Sequence, residues 1–186
     1  NFSIDENSIN GTTVGVLSAI DVDADDVLSY QVIGGTGVGI LDVNEVTGEV
    51  SVVDDSLLNY ELTPSLDLLV EVVDSQGLSD STNVLVELNN LNDEQNLIVN
   101  SALPVSEGGA AVIDASFLRA VDEEQSDDLL VYSIVNAPVQ GTLEVGGIPA
   151  SVFTQDDLNQ GRVSYVHDGS ESLSDSFEFL VDDGAG

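Results

Sequence analysis

The feature that most constrains the fold of this chain is an internal repeat of acidic and aromatic positions. Six residues of the first half recur in the same order in the second half, the first four of them 101 positions later: Glu6, Ala19, Asp21, Asp26, Tyr30 and Asp74 return as Glu107, Ala120, Asp122, Asp127, Tyr132 and Asp182. Such a repeat divides the 186 residues into two units in series. Each unit then has roughly 90 to 100 residues, a common size for a β-sandwich domain.

The charge of the chain excludes two classes of partner. Asp and Glu number 35, Lys and Arg only two, and the formal net charge is −33. This charge repels nucleic acid and anionic membrane surfaces and attracts divalent cations, so we expect no nucleic-acid partner. Hydrophobic residues still make up 42% of the chain, which is enough apolar surface for folded cores.

The residue types that are missing narrow the chemistry further. Without Cys the chain has neither a disulfide framework nor a thiolate metal site, so a bound metal must be coordinated by oxygen. No apolar run is long enough for a transmembrane helix and no leader segment is seen, so we expect no membrane insertion. Because Met is also absent, we expect an internal piece of a longer protein.

Short apolar runs with a period of two predict an all-β fold. Three strands are clearest from the alternation of apolar and polar residues: Leu68 to Val72, Val84 to Leu88, and Phe177 to Val181. Turn signals separate the runs at short intervals: Asn10-Gly11, Gly34-Gly35, Thr47-Gly48, Ser75-Gln76-Gly77, Gly146-Gly147 and Asp168-Gly169. Only residues 114–118 and 154–158 predict single helical turns, begun by an Asp and a Thr cap.

The first half of the chain contains a series of short motifs with acidic, glycine and aromatic residues. They are Asp5-Glu6-Asn7, Ala19-Ile20-Asp21-Val22-Asp23, Leu28-Ser29-Tyr30, Thr47-Gly48-Glu49-Val50, Asn59-Tyr60-Glu61, Val73-Asp74-Ser75-Gln76-Gly77 and Asn90-Leu91-Asn92-Asp93-Glu94. In this order residues 1–94 resemble a cadherin repeat, and residues 90–94 are similar to its DxNDN linker. Asn90 and Glu94 depart from the outer residues of that linker, and Asn59 stands where the family's base motif often has Asp.

The second half carries a different set of motifs. They are Ser106-Glu107-Gly108-Gly109, residues 153–158, residues 161–171 and residues 177–184. Residues 95–186 thereby resemble the cadherin-like repeat of chondroitin sulfate proteoglycan core proteins, which is also found in large bacterial surface proteins. The two resemblances imply an all-β chain of two tandem Greek-key β-sandwich domains, immunoglobulin-like or cadherin-like, at 1–94 and 95–186. They also imply a further strand after Gly186, without which the second domain has an exposed edge.

The resemblance implies calcium as the cofactor. Ca²⁺ accepts about six to eight carboxylate, amide and carbonyl oxygens, whereas Mg²⁺ keeps its waters and a tight octahedron. Between the domains it implies two groups of ligands: Glu6, Glu61 and Asp93 for the inner ions, and Asn92, Asp122, Glu124 and Asp182 for the ion on the second domain's side, with the carbonyls of Leu91 and Glu94 assisting. An upstream-facing site is assigned to Asp21, Asp23 and Asp74, and Asp26 is expected to lie outside it, in the turn before Leu28.

Two enzymatic interpretations are weaker than calcium binding. His167 is the only histidine and lies with Ser164, Asp168 and Ser170 in one local stretch, whereas a nucleophilic triad is brought together across the fold. Glycoside hydrolysis needs one carboxyl in a pocket that raises its pKa, but the acids here cluster with Gly and Asn at turns. We therefore expect no enzyme and a histidine that packs or hydrogen-bonds locally.

These features predict calcium-rigidified extender or adhesion repeats of a large extracellular, secreted or cell-surface protein. The near absence of Lys and Arg, the lack of Cys and the mixed repeat types favour a bacterial adhesin. The partners are neighbouring repeats of the same chain. The alternative is a recognition module that binds a cell-surface or matrix polysaccharide or protein. A glycan array or a pull-down separates the two, because a pure spacer binds nothing there.

Overall fold

The structure is a computed structural model that describes residues 1–22 and 26–185. It confirms the all-β prediction. The chain divides into two compact units, Asn1–Leu91 and Asn92–Gly186, called unit 1 and unit 2 below. Both consist of short β-sheets around an apolar core of their own. Each unit is described by itself.

Unit 1 is a sandwich of two sheets. Its strands are β1 (Phe2–Asp5), β2 (Thr13–Val16), β3 (Ser29–Gly34), β4 (Leu41–Val43), β5 (Glu49–Val52), β6 (Ser65–Val73) and β7 (Ser79–Asn89), with a 3₁₀ turn at Asp55–Leu57. The sheet orders are β1-β7-β6-β3 and β2-β5-β4. β1 runs parallel to β7, and the other neighbours are antiparallel.

The long hairpin of β6 and β7 supplies much of the core of unit 1. Leu68 and Val70 on β6 and Val86 on β7 are at most 1% exposed, so the predicted alternation is confirmed. The two strands have nine and eleven residues and are longer than the runs read from the sequence. Each is extended because it is hydrogen-bonded to a neighbour on both edges.

Unit 2 contains more and shorter strands. They are β8 (Asn96–Asn100), β9 (Ala110–Val112), β10 (Leu118–Val121), β11 (Val131–Asn136), β12 (Gly141–Val145), β13 (Ile148–Pro149), β14 (Val152–Thr154), β15 (Val163–His167) and β16 (Glu178–Asp182), with one short helix, α1 (Gln155–Asn159). The sheet orders are β10-β8, β14-β11-β16 and β13-β12-β15-β9. The inner faces meet in a core that includes Tyr132, Leu158 and Val163, all fully buried.

Both predicted helical turns are present in unit 2. Thr154 begins α1 with a capping box, since its hydroxyl accepts from the Asp157 amide at 3.1 Å and the Asp157 carboxylate accepts from the Thr154 amide at 2.9 Å. At the other turn, the carbonyl of Asp114 accepts from the amides of Phe117 and Leu118. The Asp114 carboxylate also accepts from the Ser116 amide at 2.9 Å, so both caps are correctly read from the sequence.

A buried glutamine connects three elements of unit 2. The amide oxygen of Gln155 accepts from the Ala120 amide at 2.8 Å and from the Tyr132 hydroxyl at 2.7 Å, and its nitrogen donates to Asn159 at 3.0 Å. Burial raises the pKa of Tyr132 to about 12. Ala120, Tyr132 and Gln155 are fully buried, so the Ala120 amide and the Tyr132 hydroxyl depend on Gln155 as their acceptor, whereas Asn159 is exposed.

We expect Gln155→Leu to destabilise unit 2 strongly. The variant leaves the Ala120 amide and the Tyr132 hydroxyl buried without their acceptor, at a cost of about 1–3 kcal/mol for each stranded donor. Urea denaturation followed by circular dichroism measures the loss. Gln160→Leu is the control, because the side chain of Gln160 is exposed. Equal stability of the two variants would contradict this role for the buried glutamine.

Candidate metal sites

Glu6 is a buried acid of unit 1 that contacts Leu91, the residue at which unit 1 ends. Its side chain is 1% exposed, and its two oxygens accept from the amides of Tyr60 and Leu91, each at 2.6 Å. A buried carboxylate is costly unless it is hydrogen-bonded or paired with a cation, and these two bonds are of the short, charge-assisted kind. Glu6 therefore fixes Leu91, the last residue of unit 1, in place.

A second carboxylate lies beside Glu6. Oxygens of Glu6 and Glu61 are within 4.8 Å of each other, and Glu61 also accepts from the side-chain amide of Asn90 at 2.7 Å. Two carboxylates this close repel unless a cation lies near them. Glu6, Glu61, Asn90 and Leu91 are called the Glu6 cluster below.

Unit 2 contains a separate group of oxygen-bearing side chains around Asp122. One oxygen of Asp122 accepts from the amides of Glu124 and Gln125 at 2.9 and 2.7 Å. Its other oxygen, Oδ2, is buried and accepts no hydrogen bond from the described residues. Glu124 in turn accepts from the amide of Asp93 at 3.2 Å. An orphaned, buried carboxylate oxygen among other oxygens fits a hard cation such as Ca²⁺.

Asp183 also belongs to this group, although the sequence analysis did not predict it as a ligand. It is 7% exposed and accepts from the side-chain amide of Asn92 at 2.7 Å and from the Ala185 amide at 2.9 Å. Asp182, the predicted ligand, is exposed and accepts from the Gly184 amide at 2.7 Å. Asn92, Asp93, Asp122, Glu124 and Asp183 are called the Asp122 cluster below.

Strand register shows that Asp183, and not Asp182, is the counterpart of Asp74. β3 pairs Tyr30 with Val72, and β11 pairs Tyr132 with Val181. Two residues beyond each of these valines stand Asp74 and Asp183 respectively. The sequence correspondence of Asp74 with Asp182 is therefore wrong by one position. In a strand, one residue of shift moves a side chain to the opposite face.

A third acidic group lies elsewhere in unit 1. Carboxylate oxygens of Asp21, Asp26 and Asp74 lie within 4.8 Å of one another. The Asp74 carboxylate also accepts from the amides of Gln76 and Leu78 at 2.9 and 2.8 Å, which closes the turn between β6 and β7. Asp23, the third predicted member of this site, lies outside the described residues. These three acids are called the Asp74 cluster.

The expectation that Asp26 lies outside this site is wrong. One of its oxygens accepts from the Ser75 hydroxyl and from the Ser75 amide at 3.2 Å, which holds it beside Asp74. Its other oxygen, Oδ2, is buried and accepts no hydrogen bond among the described residues. The repeat contained a signal for this residue, because Asp26 recurs as Asp127.

We expect Ser75→Ala to raise the pKa of Asp26. The Ser75 hydroxyl is the main cause that holds this pKa below its ordinary value of 3.8. A lowered pKa in the folded state stabilises the protein above the unfolded pKa, and this stabilisation is lost as the pH falls through the folded pKa. Carbon-detected NMR titration in excess chelator measures the change. An unchanged pKa of Asp26 in the variant would contradict the assigned contact.

Four other residues singled out in the sequence contribute only through their backbone or lie outside the three clusters. Leu91 takes part through its backbone, whose amide is held by Glu6, and Glu94 is exposed. Asn59 accepts from the Leu62 amide at 2.7 Å, so it serves the turn that precedes β6. His167 accepts from the Gly169 amide at 3.0 Å, which is the local hydrogen bond expected from the sequence. It also accepts from the Gly108 amide, 59 positions away, at 3.3 Å.

Two family models together match almost the whole chain. The model described as "Cadherin domain" matches residues 1–89, and the model described as "Cadherin-like" matches residues 96–186. No helix among the described residues is long and apolar enough to cross a membrane.

Two of the curated relatives are extracellular matrix proteins by name, and the chain spans only about one twentieth of their length. The chain is 31% identical over 97% of its length to "Extracellular matrix organizing protein FRAS1" of Mus musculus, covering 5% of that protein. The chain is 37% identical over 59% of its length to "Extracellular matrix protein 3" of Lytechinus variegatus, covering 4% of that protein. It is 37% identical over 45% of its length to "Chondroitin sulfate proteoglycan 4" of Homo sapiens, again covering 4% of that protein. These relatives are animal proteins and do not support the bacterial origin that the composition favoured.

Solved structures agree on the fold. A crystal structure of domains EC1-2 of human protocadherin-24 matches 97% of this chain and 88% of its own, with a TM-score of 0.59 at 19% identity. Domains EC21-23 of human CDH23 match 97% of this chain and 64% of their own, with a TM-score of 0.56 at 16% identity. At these identities the likeness shows the fold alone.

Proposed function

Because the chain consists of two cadherin-like domains, we propose that it is a calcium-binding extender segment of a large extracellular matrix or cell-surface protein. The observation that carries the proposal is the hydrogen bonding of the four residues 90–93 to carboxylates. Asn90 and Leu91 donate to carboxylates within unit 1, and Asn92 and Asp93 donate to carboxylates within unit 2. Each of these four residues thus donates a hydrogen bond to a carboxylate.

We assign the calcium ligands by cluster. Glu6 and Glu61, with Asp93, hold the ions on the side of unit 1, and Asn92, Asp122 and Glu124 hold the ion on the side of unit 2. Asp183 replaces Asp182 in the second set, since it is buried against Asn92 and Asp182 is exposed. When bound, calcium supplies the positive charge that offsets the repulsion within each cluster.

The Asp74 cluster is proposed as a further calcium site. Its three carboxylates meet within 4.8 Å, and the Oδ2 atom of Asp26 is buried without a hydrogen bond among the described residues. We therefore add Asp26 to the predicted ligands Asp21, Asp23 and Asp74.

The proposed role is mechanical and not enzymatic. The linker between the units is short, and acids crowd around it on both sides. Without calcium these acids repel, and rotation about the linker is favoured. With calcium the linker is fixed, so that a row of such domains can hold a distant binding domain away from its anchor. The partners in this role are the neighbouring repeats of the same chain.

Small-angle X-ray scattering tests the proposal. We expect a broad distribution of interatomic distances in excess chelator and a narrower one in several millimolar calcium, because only bound ions offset the repulsion at the linker. Magnesium at the same concentration controls for ionic strength. Superimposable profiles in chelator and calcium would mean that calcium does not fix the linker.

A further inference from the structure

The chain leaves β1 through a turn with an unusual backbone conformation at Asn7. Its φ is 58°, in the left-handed region, and every other described residue with a positive φ is a glycine. This region costs free energy for a residue that carries a Cβ, although Asn tolerates it better than most. Such a conformation persists only where the surrounding structure holds it.

Two backbone hydrogen bonds to other parts of unit 1 hold this turn. The Glu6 amide donates to the carbonyl of Asn89, the last residue of β7, at 3.2 Å. The Asn7 amide donates to the Leu58 carbonyl at 3.0 Å. The turn is thereby fixed between the end of β7 and the segment that follows the 3₁₀ turn.

The same backbone conformation recurs in unit 2. Gly108 stands 101 positions after Asn7, the offset that relates Glu6 to Glu107, and its φ is 62°. Both units therefore place a left-handed residue directly after a glutamate. Gly108 also shows that glycine fits this position, because a residue without a Cβ adopts the left-handed region at no steric cost.

In unit 1 this turn determines where the Glu6 carboxylate lies. Side chains alternate along β1, and both Ile4 and Glu6, two residues apart, are buried. Left-handed Asn7 ends the extended run directly after Glu6, whose two oxygens accept from the amides of Tyr60 and Leu91 at 2.6 Å each. A change of backbone conformation at this turn therefore moves the carboxylate away from both amides.

We propose that Asn7 is a positioning residue for calcium binding at the Glu6 cluster. Its left-handed backbone holds the Glu6 carboxylate in place before the ion arrives, so less conformational freedom is lost on binding. This inference rests on the proposed function, which assigns Glu6 as a calcium ligand. When the turn populates other conformations, only the fraction of molecules with Glu6 in place binds calcium, and the apparent affinity falls by that fraction.

Two substitutions of Asn7 separate the backbone from the side chain. Asn7→Gly keeps the left-handed conformation accessible, whereas Asn7→Ala disfavours it through its Cβ. By isothermal titration calorimetry we expect calcium affinity about five- to tenfold below wild type for Asn7→Ala, and a loss of about twofold or less for Asn7→Gly. Asn10→Ala is the matched control and should bind as wild type does, because Asn10 is exposed in the next turn and its φ is negative.

A second measurement does not depend on calcium. The amides of Tyr60 and Leu91 donate short hydrogen bonds to the Glu6 carboxylate. In NMR spectra recorded in excess chelator, we expect both amide protons to move upfield in Asn7→Ala and to keep their positions in Asn7→Gly. A wild type that binds no calcium would contradict the proposed function, and these shifts would still decide whether Asn7 positions Glu6.

Two results would overturn the positioning role. One is a lower melting temperature of Asn7→Ala with wild-type calcium affinity, because the residue would then support only the stability of unit 1. The other is an equal loss of affinity in Asn7→Gly and Asn7→Ala, because the loss would then come from the side chain and not from the backbone.

Discussion

Several millimolar calcium is expected to raise the melting temperature of this chain by about 10 °C over its value in excess chelator. Extracellular calcium modules bind with dissociation constants of about 10⁻⁴ to 10⁻³ M. An ion present at about ten times its dissociation constant stabilises the folded state by about 1.4 kcal/mol. The Glu6 and Asp122 clusters belong to different units, so each unit gains this amount from its own ion, and at about 4–8 °C per kcal/mol for a domain of about 90 residues the shift is about 10 °C.

Differential scanning calorimetry measures this shift, with magnesium as the matched control. Magnesium keeps its waters and requires a tight octahedron, whereas the two clusters offer oxygens of mixed kinds, including Glu6, Asn92 and Asp122. Magnesium should therefore raise the melting temperature less than calcium does. A melting curve that is the same in chelator and in calcium would contradict calcium binding at both clusters.

The second large effect separates two adjacent aspartates. Asp183→Asn is expected to weaken calcium binding at the Asp122 cluster about tenfold or more, while Asp182→Asn changes it little. Asp183 is buried against Asn92, so its charge acts on the site with little screening by water, whereas Asp182 is exposed. Both changes keep the shape of the side chain, so the comparison isolates the charge.

Isothermal titration calorimetry of the two variants and the wild type provides the measurement. Circular dichroism should show that both variants retain their β-structure, because neither residue belongs to the apolar core. If Asp182→Asn caused the larger loss of affinity, the strand register of β16 would not identify the ligand, and the original sequence assignment of Asp182 would be preferred.

Much of the fold follows from local patterns in the sequence. Alternation placed Leu68, Val70 and Val86 correctly on inner faces, because a strand with one buried face must repeat every two residues. The cap at Thr154 was also readable, since its capping box lies within four consecutive residues. The buried contacts of Gln155 were not, because its partners Ala120 and Tyr132 are distant in sequence.

The sites were harder to predict than the strands. Asp182 and Asp183 are both acidic and adjacent, so composition and spacing cannot tell which one faces inward, and only pairing with β11 decides it. Asp26 was set aside because it lies beyond the predicted pair of Asp21 and Asp23. The hydrogen bonds from Ser75, 49 positions away, bring it back to the Asp74 cluster.

The most direct test of calcium binding at the linker is a calcium titration of Asp93→Ala. Asp93 lies in the linker, its amide is held by Glu124, and we assign its carboxylate to the ions beside Glu6 and Glu61. Asp42→Ala is the control, because Asp42 is an exposed acid of β4 outside all three clusters. Isothermal titration calorimetry should show affinity about tenfold or more below wild type for Asp93→Ala and a wild-type curve for Asp42→Ala. Indistinguishable curves for the two variants would contradict a calcium-binding linker.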